Sequence, residues 1–217
     1  MRKLALFLIA AFCSLAAGSV RAQDSAQKSY DAPQGMAYVR FINAGDETKP
    51  LNPVIRGKAY KPLKRGVMGP YYPVEEGKAG FGMDQTGASE TLVAGAYYTV
   101  FLRSNTLTVL KDTPTTNFAK DVVVLYNFSD TPDLTLGWGE EERYEIVPFA
   151  QPGENSHKEL AAIPMNLEVY TQYHKKVLDI GPVDLKRNGI TAIIVMVGDD
   201  GHPKVTVADA ELDTTQN

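Results

Sequence analysis

Cysteine is nearly missing from this chain of 217 residues, and the only one, Cys13, lies in an N-terminal apolar run. That run, Leu4 to Leu15, follows Arg2 and Lys3 and gives way to small residues before Arg21 and Ala22. The pattern is that of a secretory signal peptide over residues 1–22, cut before Gln23. Once it is removed no thiol remains, which excludes disulfides and thiol catalysis even in an oxidising compartment. A lipoprotein signal is excluded too, because Cys13 follows Phe12 inside the run rather than a small residue at a cleavage point. Hydrophobic burial must hold the fold by itself.

No second apolar run reaches the roughly 20 residues that a membrane helix needs. The expected product is exported and not embedded in a membrane. Histidine is scarce and scattered: His157, His174 and His202 form no HxH or HExxH spacing, so a zinc site has no local support. No metal or cofactor is expected. A GxSxG elbow or other serine block is missing as well, although a triad built from distant loops stays open, because triads are geometric. Helical periodicity is also lacking: no stretch of helix length keeps a 3.6-residue apolar period without a breaker.

What remains is strand grammar. From Ala37 onward the apolar stretches are short, rich in Val, Ile, Tyr, Phe and Thr, and interrupted by Gly, Pro, Asn or Asp. Strands are expected near 37–43, 54–60, 71–74, 80–83, 90–93, 96–103 and 107–111, then near 122–127, 134–138, 144–149, 160–163, 167–173, 176–180, 190–197 and 204–208. Seven or eight short strands per half suit an all-β chain of two tandem β-sandwich domains, Greek-key or Ig-like in kind. The expected limits are an extended lead-in at 23–36, a first domain at 37–115 and a second at 116–217, joined by a short Pro/Thr linker from Asp112 to Asn117.

An internal repeat supports the two halves. Ala37 to Asp46 and Asp121 to Asp130 share one design 84 positions apart, with Asn127 falling on Asn43 and Asp130 on Asp46. The strand after Gly95 matches the strand after Gly189, offset 94, and Leu107-Thr108-Val109 matches Val205-Thr206-Val207, offset 98. Within the first strand Val39 and Phe41 alternate with Tyr38 and Arg40, so one face is expected in the core and the other in solvent. The formal sequon Asn127-Phe128-Ser129 reads as a structural turn, since Asn43 holds the same repeat position without one.

Charge separates the halves. The mature chain has 19 Lys+Arg against 26 Asp+Glu, a balance of −7, with +3 in residues 37–115 and −9 in residues 116–217. Nucleic acid is not an expected partner of so acidic a chain. The asymmetry suggests that the domains face different partners.

Two surfaces are candidate binding sites. Residues 49–74 contain no acid but include Arg56, Lys58, Lys61, Lys64 and Arg65, with Tyr60, Tyr71 and Tyr72 close in sequence. Such a window could hold a polyanion or a protein partner, the tyrosines stacking on sugar rings or anchoring an interface. The plainer and weightier reading is a solvated loop whose lysines protect a sheet edge. In the second half the only tryptophan, Trp138, stands beside Glu140, Glu141 and Glu142, a possible docking feature if exposed. Its plainer reading, again the weightier, is a core tryptophan next to a solvated charge run. Gly198-Asp199-Asp200-Gly201-His202-Pro203 lacks the spaced carboxylates of a calcium loop and reads as a hairpin turn.

The stretch Ser29-Tyr30-Asp31-Ala32-Pro33-Gln34-Gly35-Met36-Ala37-Tyr38-Val39-Arg40-Phe41-Ile42-Asn43-Ala44 resembles the mature N-terminus of the AlgF family, with its Tyr-x-x-Pro lead-in and Val-Arg-x-x-Asn-Ala strand. Ala96-Tyr97-Tyr98-Thr99-Val100 is similar to that family's Tyr-Tyr-Thr strand, and Asn127-Phe128-Ser129-Asp130 to its Asn-x-Ser-Asp turn. The basic segment Lys49 to Pro73 departs from the family in being longer and more charged. The resemblance implies a non-catalytic periplasmic component of alginate O-acetylation, partnered by a periplasmic acetyltransferase and a membrane acyl-transfer protein. Alginate is a polyanion, so any direct contact should use the basic window and leave the acidic half to a protein partner.

Overall fold

A computed structural model describes residues 35–45, 49–114, 117–138 and 144–212. Within them the first half forms β1 (Met36–Asn43), β2 (Pro53–Ile55), β3 (Lys58–Ala59), β4 (Tyr72–Glu75), β5 (Gly77–Met83), β6 (Thr86–Leu92), β7 (Tyr97–Arg103) and β8 (Thr106–Asp112). The second half forms β9 (Lys120–Phe128), β10 (Leu134–Trp138), β11 (Tyr144–Glu145), β12 (Glu154–Ala161), β13 (Pro164–Thr171), β14 (Lys176–Asp184), β15 (Gly189–Val197) and β16 (Pro203–Asp209). No helix occurs among the described residues. The boundary expected between residues 115 and 116 falls outside them.

Each half pairs two four-stranded sheets. In the first, β4-β1-β7-β8 faces β3-β2-β5-β6; in the second, β12-β9-β15-β16 faces β11-β10-β13-β14. The alternation of β1 drives Val39 and Phe41 into the first core with Val100, Ile55 and Phe81. Val123, Leu125, Ile193 and Val195 do the same in the second core with Leu136 and Val169. The chain is all-β with two sandwiches, as its grammar implies.

The repeat is visible in the pairing. The centre of each inner sheet is a parallel pair, β1 with β7 and β9 with β15. Val39 stands opposite Tyr98 and Val123 opposite Thr191, so the second match has an offset of 93 rather than 94. The single residue decides the faces, because side chains alternate along a strand. With the corrected offset Val100 maps to Ile193, both in sandwich cores, and Phe101 to Ile194, both on the opposite face. The third match stands, since Val109 pairs with Val100 as Val207 pairs with Ile193.

That opposite face does not meet solvent. Ile42, Ala44 and Phe101 pack on Val122, Val124, Tyr126, Phe128, Ala192 and Ile194, so the two inner sheets lie back to back in one apolar seam. Phe101 and Phe128 stack across it with ring centroids 4.2 Å apart. Past β16 the chain returns to the first half, where the Tyr71 amide donates to the Glu211 carbonyl at 2.7 Å. Tandem packing of this kind buries both faces of β1, which explains why Tyr38 and Arg40 are as inaccessible as Val39.

Three strand limits differ from expectation for identifiable reasons. The run 54–60 is cut into β2 and β3 by Arg56 and Gly57, both at positive φ (49° and 82°), a conformation suited to a tight hairpin turn. The run 144–149 forms only the short β11. The strand expected at 160–163 instead spans Glu154 to Ala161, a polar edge strand whose sequence carries little apolar alternation. The Gly198–Pro203 turn is a hairpin as read, closed by Gly198 N–H donating to the His202 carbonyl at 2.7 Å.

Candidate functional site

Arg40 lies in the seam between the sandwiches, at a repeat position that holds Val124 in the second copy. It is fully buried. Its Nε donates to Thr99 Oγ1 at 2.9 Å and its Nη2 to the Tyr126 hydroxyl at 2.6 Å. The Tyr126 hydroxyl donates onward to Asp112 Oδ1 at 2.5 Å, and the Tyr71 hydroxyl donates to Asp112 Oδ2 at 2.9 Å. Thr99 and Asn155 also donate to this carboxylate. Arg40 and Asp112 are 3.9 Å apart, so they neutralise each other mainly through shared hydroxyls, while the Tyr71 ring lies 4.4 Å from the guanidinium carbon. Asp112 closes β8 and is buried, although its position suggested an exposed linker.

The network has a pH consequence. Burial, opposed by the nearby Arg40, raises the hydroxyl pKa of Tyr126 and of Tyr71 above the ordinary 10.0. Groups whose folded pKa is raised stabilise the fold fully below the unfolded value, and that contribution is lost as pH climbs through the folded value. Alkaline unfolding is therefore expected to set in above about pH 10, and Tyr126→Phe should flatten that limb in a stability-against-pH series. An unchanged slope would contradict this assignment.

The basic window is divided by the fold. Tyr71 and Tyr72 are buried, one in the seam network and the other in the first core, and Tyr60 closes that core against Tyr72 at 4.3 Å. They therefore do not form the exposed stacking surface that their sequence position suggested, because the strand alternation turns both into the protein. Arg56 donates to the carbonyls of Glu75 and Glu76 at 3.0 Å each, holding one turn to another. Arg65 pairs with Asp199 and donates to the Val197 carbonyl at 2.6 Å, so it ties the basic half to the acidic half. Arg103 makes a second such tie to Asp130 and the Ser129 carbonyl. Lys58, Lys61 and Lys64 stay exposed, with the Lys58 ammonium 5.6 Å from the Tyr60 ring.

The repeated asparagine explains the sequon. Asn127 is buried, its side-chain N–H donating to the Thr131 and Ala150 carbonyls while Oδ1 accepts from the Ser129 amide. Asn43 does the same for the Leu63 carbonyl and the Gly45 amide. Both are turn locks.

Trp138 contradicts the core reading. It is 46% exposed and faces Tyr144, 54% exposed, across the β10–β11 pair with centroids 5.9 Å apart. β11 is the edge strand of its sheet among the described residues. Glu140, Glu141 and Glu142 lie outside the described residues. The register places exposed Phe118 and Ile163 at the same end of the second sandwich. Lys120 lies opposite Ala161, and β13 starts at Pro164, just ahead of Glu168, the partner of Gly137. Phe118 and Ile163 escaped the sequence reading because single exposed apolar residues carry no local signature.

The family described as alginate O-acetyl transferase AlgF matches residues 10–192 of the chain. The chain belongs to the AlgF family. Among solved structures it is similar to the C-terminal domain of AlgF from P. aeruginosa, with 24% identity over 42% of this chain and 98% of that one, at a TM-score of 0.37. It is also similar to the Bacillus anthracis TIE protein, with 10% identity over 75% of this chain and 34% of that one, at a TM-score of 0.28. No individually curated protein matches. AlgF membership ties the chain to alginate O-acetylation.

Proposed function

We propose that this AlgF protein is a non-catalytic adaptor of the alginate O-acetylation machinery, exported to the periplasm by residues 1–22. Its second sandwich docks a protein of that machinery, a periplasmic acetyltransferase or a membrane acyl-transfer protein. The observation that carries this reading is the exposed Trp138–Tyr144 pair across β10 and the edge strand β11, since exposed paired aromatics are the side chains that anchor protein interfaces. The −9 balance of residues 116–217 fits a partner surface that is basic around an apolar centre.

The buried acids favour scaffolding over chemistry. Asp112 is engaged by Tyr71, Thr99, Tyr126 and Asn155, and Asp121 by the Lys186 amide and by both donors of Thr191. Both are buried. Deleting the gene should leave polymer exported with little or no acetyl ester, measured on purified polysaccharide. Normal acetyl content after a clean deletion would overturn the proposal.

A further inference from the structure

The seam between the sandwiches has an apolar part and a polar part with different physical roles. In the apolar part Ile42 and Phe101 of the first sandwich meet Val122, Val124 and Ile194 of the second. Aliphatic side chains on a pleated face recur every two residues, so a slide of one repeat, roughly 6.7 Å, exchanges one such contact for another. Burial of this kind drives the sheets together without choosing among those arrangements. The Phe101–Phe128 stack adds a weak preference of shape, because offset and tilted ring pairs are similarly favourable. The bridging ion pairs of Arg65 and Arg103 choose no more firmly, since their partners Asp199 and Asp130 are 71% and 84% exposed and screened by water.

The polar part is directional. Arg40, Tyr71, Thr99 and Asp112 all belong to the first sandwich and form a buried cluster of zero net charge at the seam. The second sandwich supplies two groups to it. The Tyr126 hydroxyl of β9 accepts from Arg40 Nη2 at 2.6 Å and donates to Asp112 Oδ1 at 2.5 Å, so it sits between the two charges. The Asn155 amide of β12 donates to the same Asp112 oxygen at 3.2 Å. Displacing the sandwiches by one strand repeat removes both groups and leaves an Arg40 donor and an Asp112 lone pair without partners where water is excluded. Each alternative docking is thereby penalised, whereas an apolar filling would accept several.

Stability is a separate matter. Arg40 and Asp112 both give up hydration when the second sandwich covers them, and their separation of 3.9 Å is too long for a direct hydrogen bond to offset that loss. Well-packed apolar side chains can replace a buried pair of this kind without loss, although removing one charge alone strands the other.

We propose that the Arg40–Asp112 cluster, engaged by Tyr126 and Asn155, selects one orientation of the two sandwiches and adds no net stability. The result is a two-sandwich body whose outer surfaces are held at one spacing. This selection is independent of what the second sandwich docks.

Spin labels on paired cysteines read the orientation, because the chain carries no thiol outside residues 1–22. In the mature protein, labels at the exposed positions Ser89→Cys and Gln172→Cys should give one narrow distance population by pulsed dipolar spectroscopy. Complete apolar replacement, with Arg40→Met, Asp112→Leu, Thr99→Val, Tyr71→Phe and Tyr126→Phe together, should keep Tm within about 5 °C of the parent. The same replacement should split the distance population or roughly double its width. Tyr126→Phe with Asn155→Leu, which leaves both charges together inside the first sandwich, should broaden it as well. An unchanged narrow population in either folded variant, or a broad one in the parent, would overturn the selection of orientation. Failure of the complete replacement to fold, or a Tm lower by more than about 5 °C, would overturn the absence of net stabilisation.

Discussion

Replacing Arg40 with alanine is expected to destabilise the protein by about 3–5 kcal/mol, because it leaves Asp112 buried without its cation. For a chain of this size that corresponds to a fall in Tm of roughly 10 °C. The loss has several sources that act together. Thr99 and Tyr126 each lose a donor, the Tyr71 ring loses the guanidinium over its face, and a cavity opens in the seam between the two inner sheets. The charge rather than the volume should dominate. Arg40→Met, which restores much of the bulk, should recover only a minor part, whereas adding Asp112→Asn to Arg40→Met should recover more than either change predicts alone. Thermal denaturation of the four proteins gives the answer. Strict additivity, or a drop of less than about 3 °C for Arg40→Ala, would show that the network is not what holds the seam.

Position 40 also shows what the sequence could and could not disclose. An arginine in an otherwise apolar strand is conspicuous, and the repeat with Asp121 to Asp130 marks that strand as central. Its surroundings were not legible, because the second buried face of β1 is created by the other copy of the same sheet, a contact between residues more than 80 positions apart. The same long-range packing hid Tyr71, whose neighbours in sequence are basic but whose neighbours in space are Arg40 and Asp112. Local patterns reported strands well where the run was apolar on both faces, as in β9 and β15. They failed for β12, a polar edge strand paired along its length with β9. The one-residue slip in the repeat alignment had the same origin: composition locates a strand, but only pairing fixes which residues point inward.

Charge asymmetry between the halves was legible and turns out to have an internal part. Arg65 to Asp199 and Arg103 to Asp130 run from the basic half to the acidic half, so some of the +3 and −9 serves to join the sandwiches. Subtracting two pairs leaves the second half strongly acidic still. That remainder, rather than the raw count, is what a partner would meet, and long-range attraction would bring a basic surface toward the end where Trp138 stands.

At that end, Trp138→Ala combined with Tyr144→Ala should weaken binding to the acetylation partner at least a hundredfold. Central aromatic anchors contribute about 2–4 kcal/mol each on truncation, so even non-additive losses exceed 2.7 kcal/mol, the equivalent of roughly a hundredfold in Kd. Stability should fall by no more than about 1.5 kcal/mol, because both rings are half exposed and their truncation opens no core cavity. The two readouts separate docking from folding. Tagged wild-type and variant proteins recovered from the cell envelope would be compared for co-purified acetylation components by mass spectrometry, and the polymer made by each strain for acetyl content. Loss of both in the folded variant is the expected result. A variant that retains its acetylation partner at wild-type level, or that supports normal acetylation, would show that the exposed aromatic pair is not the docking anchor.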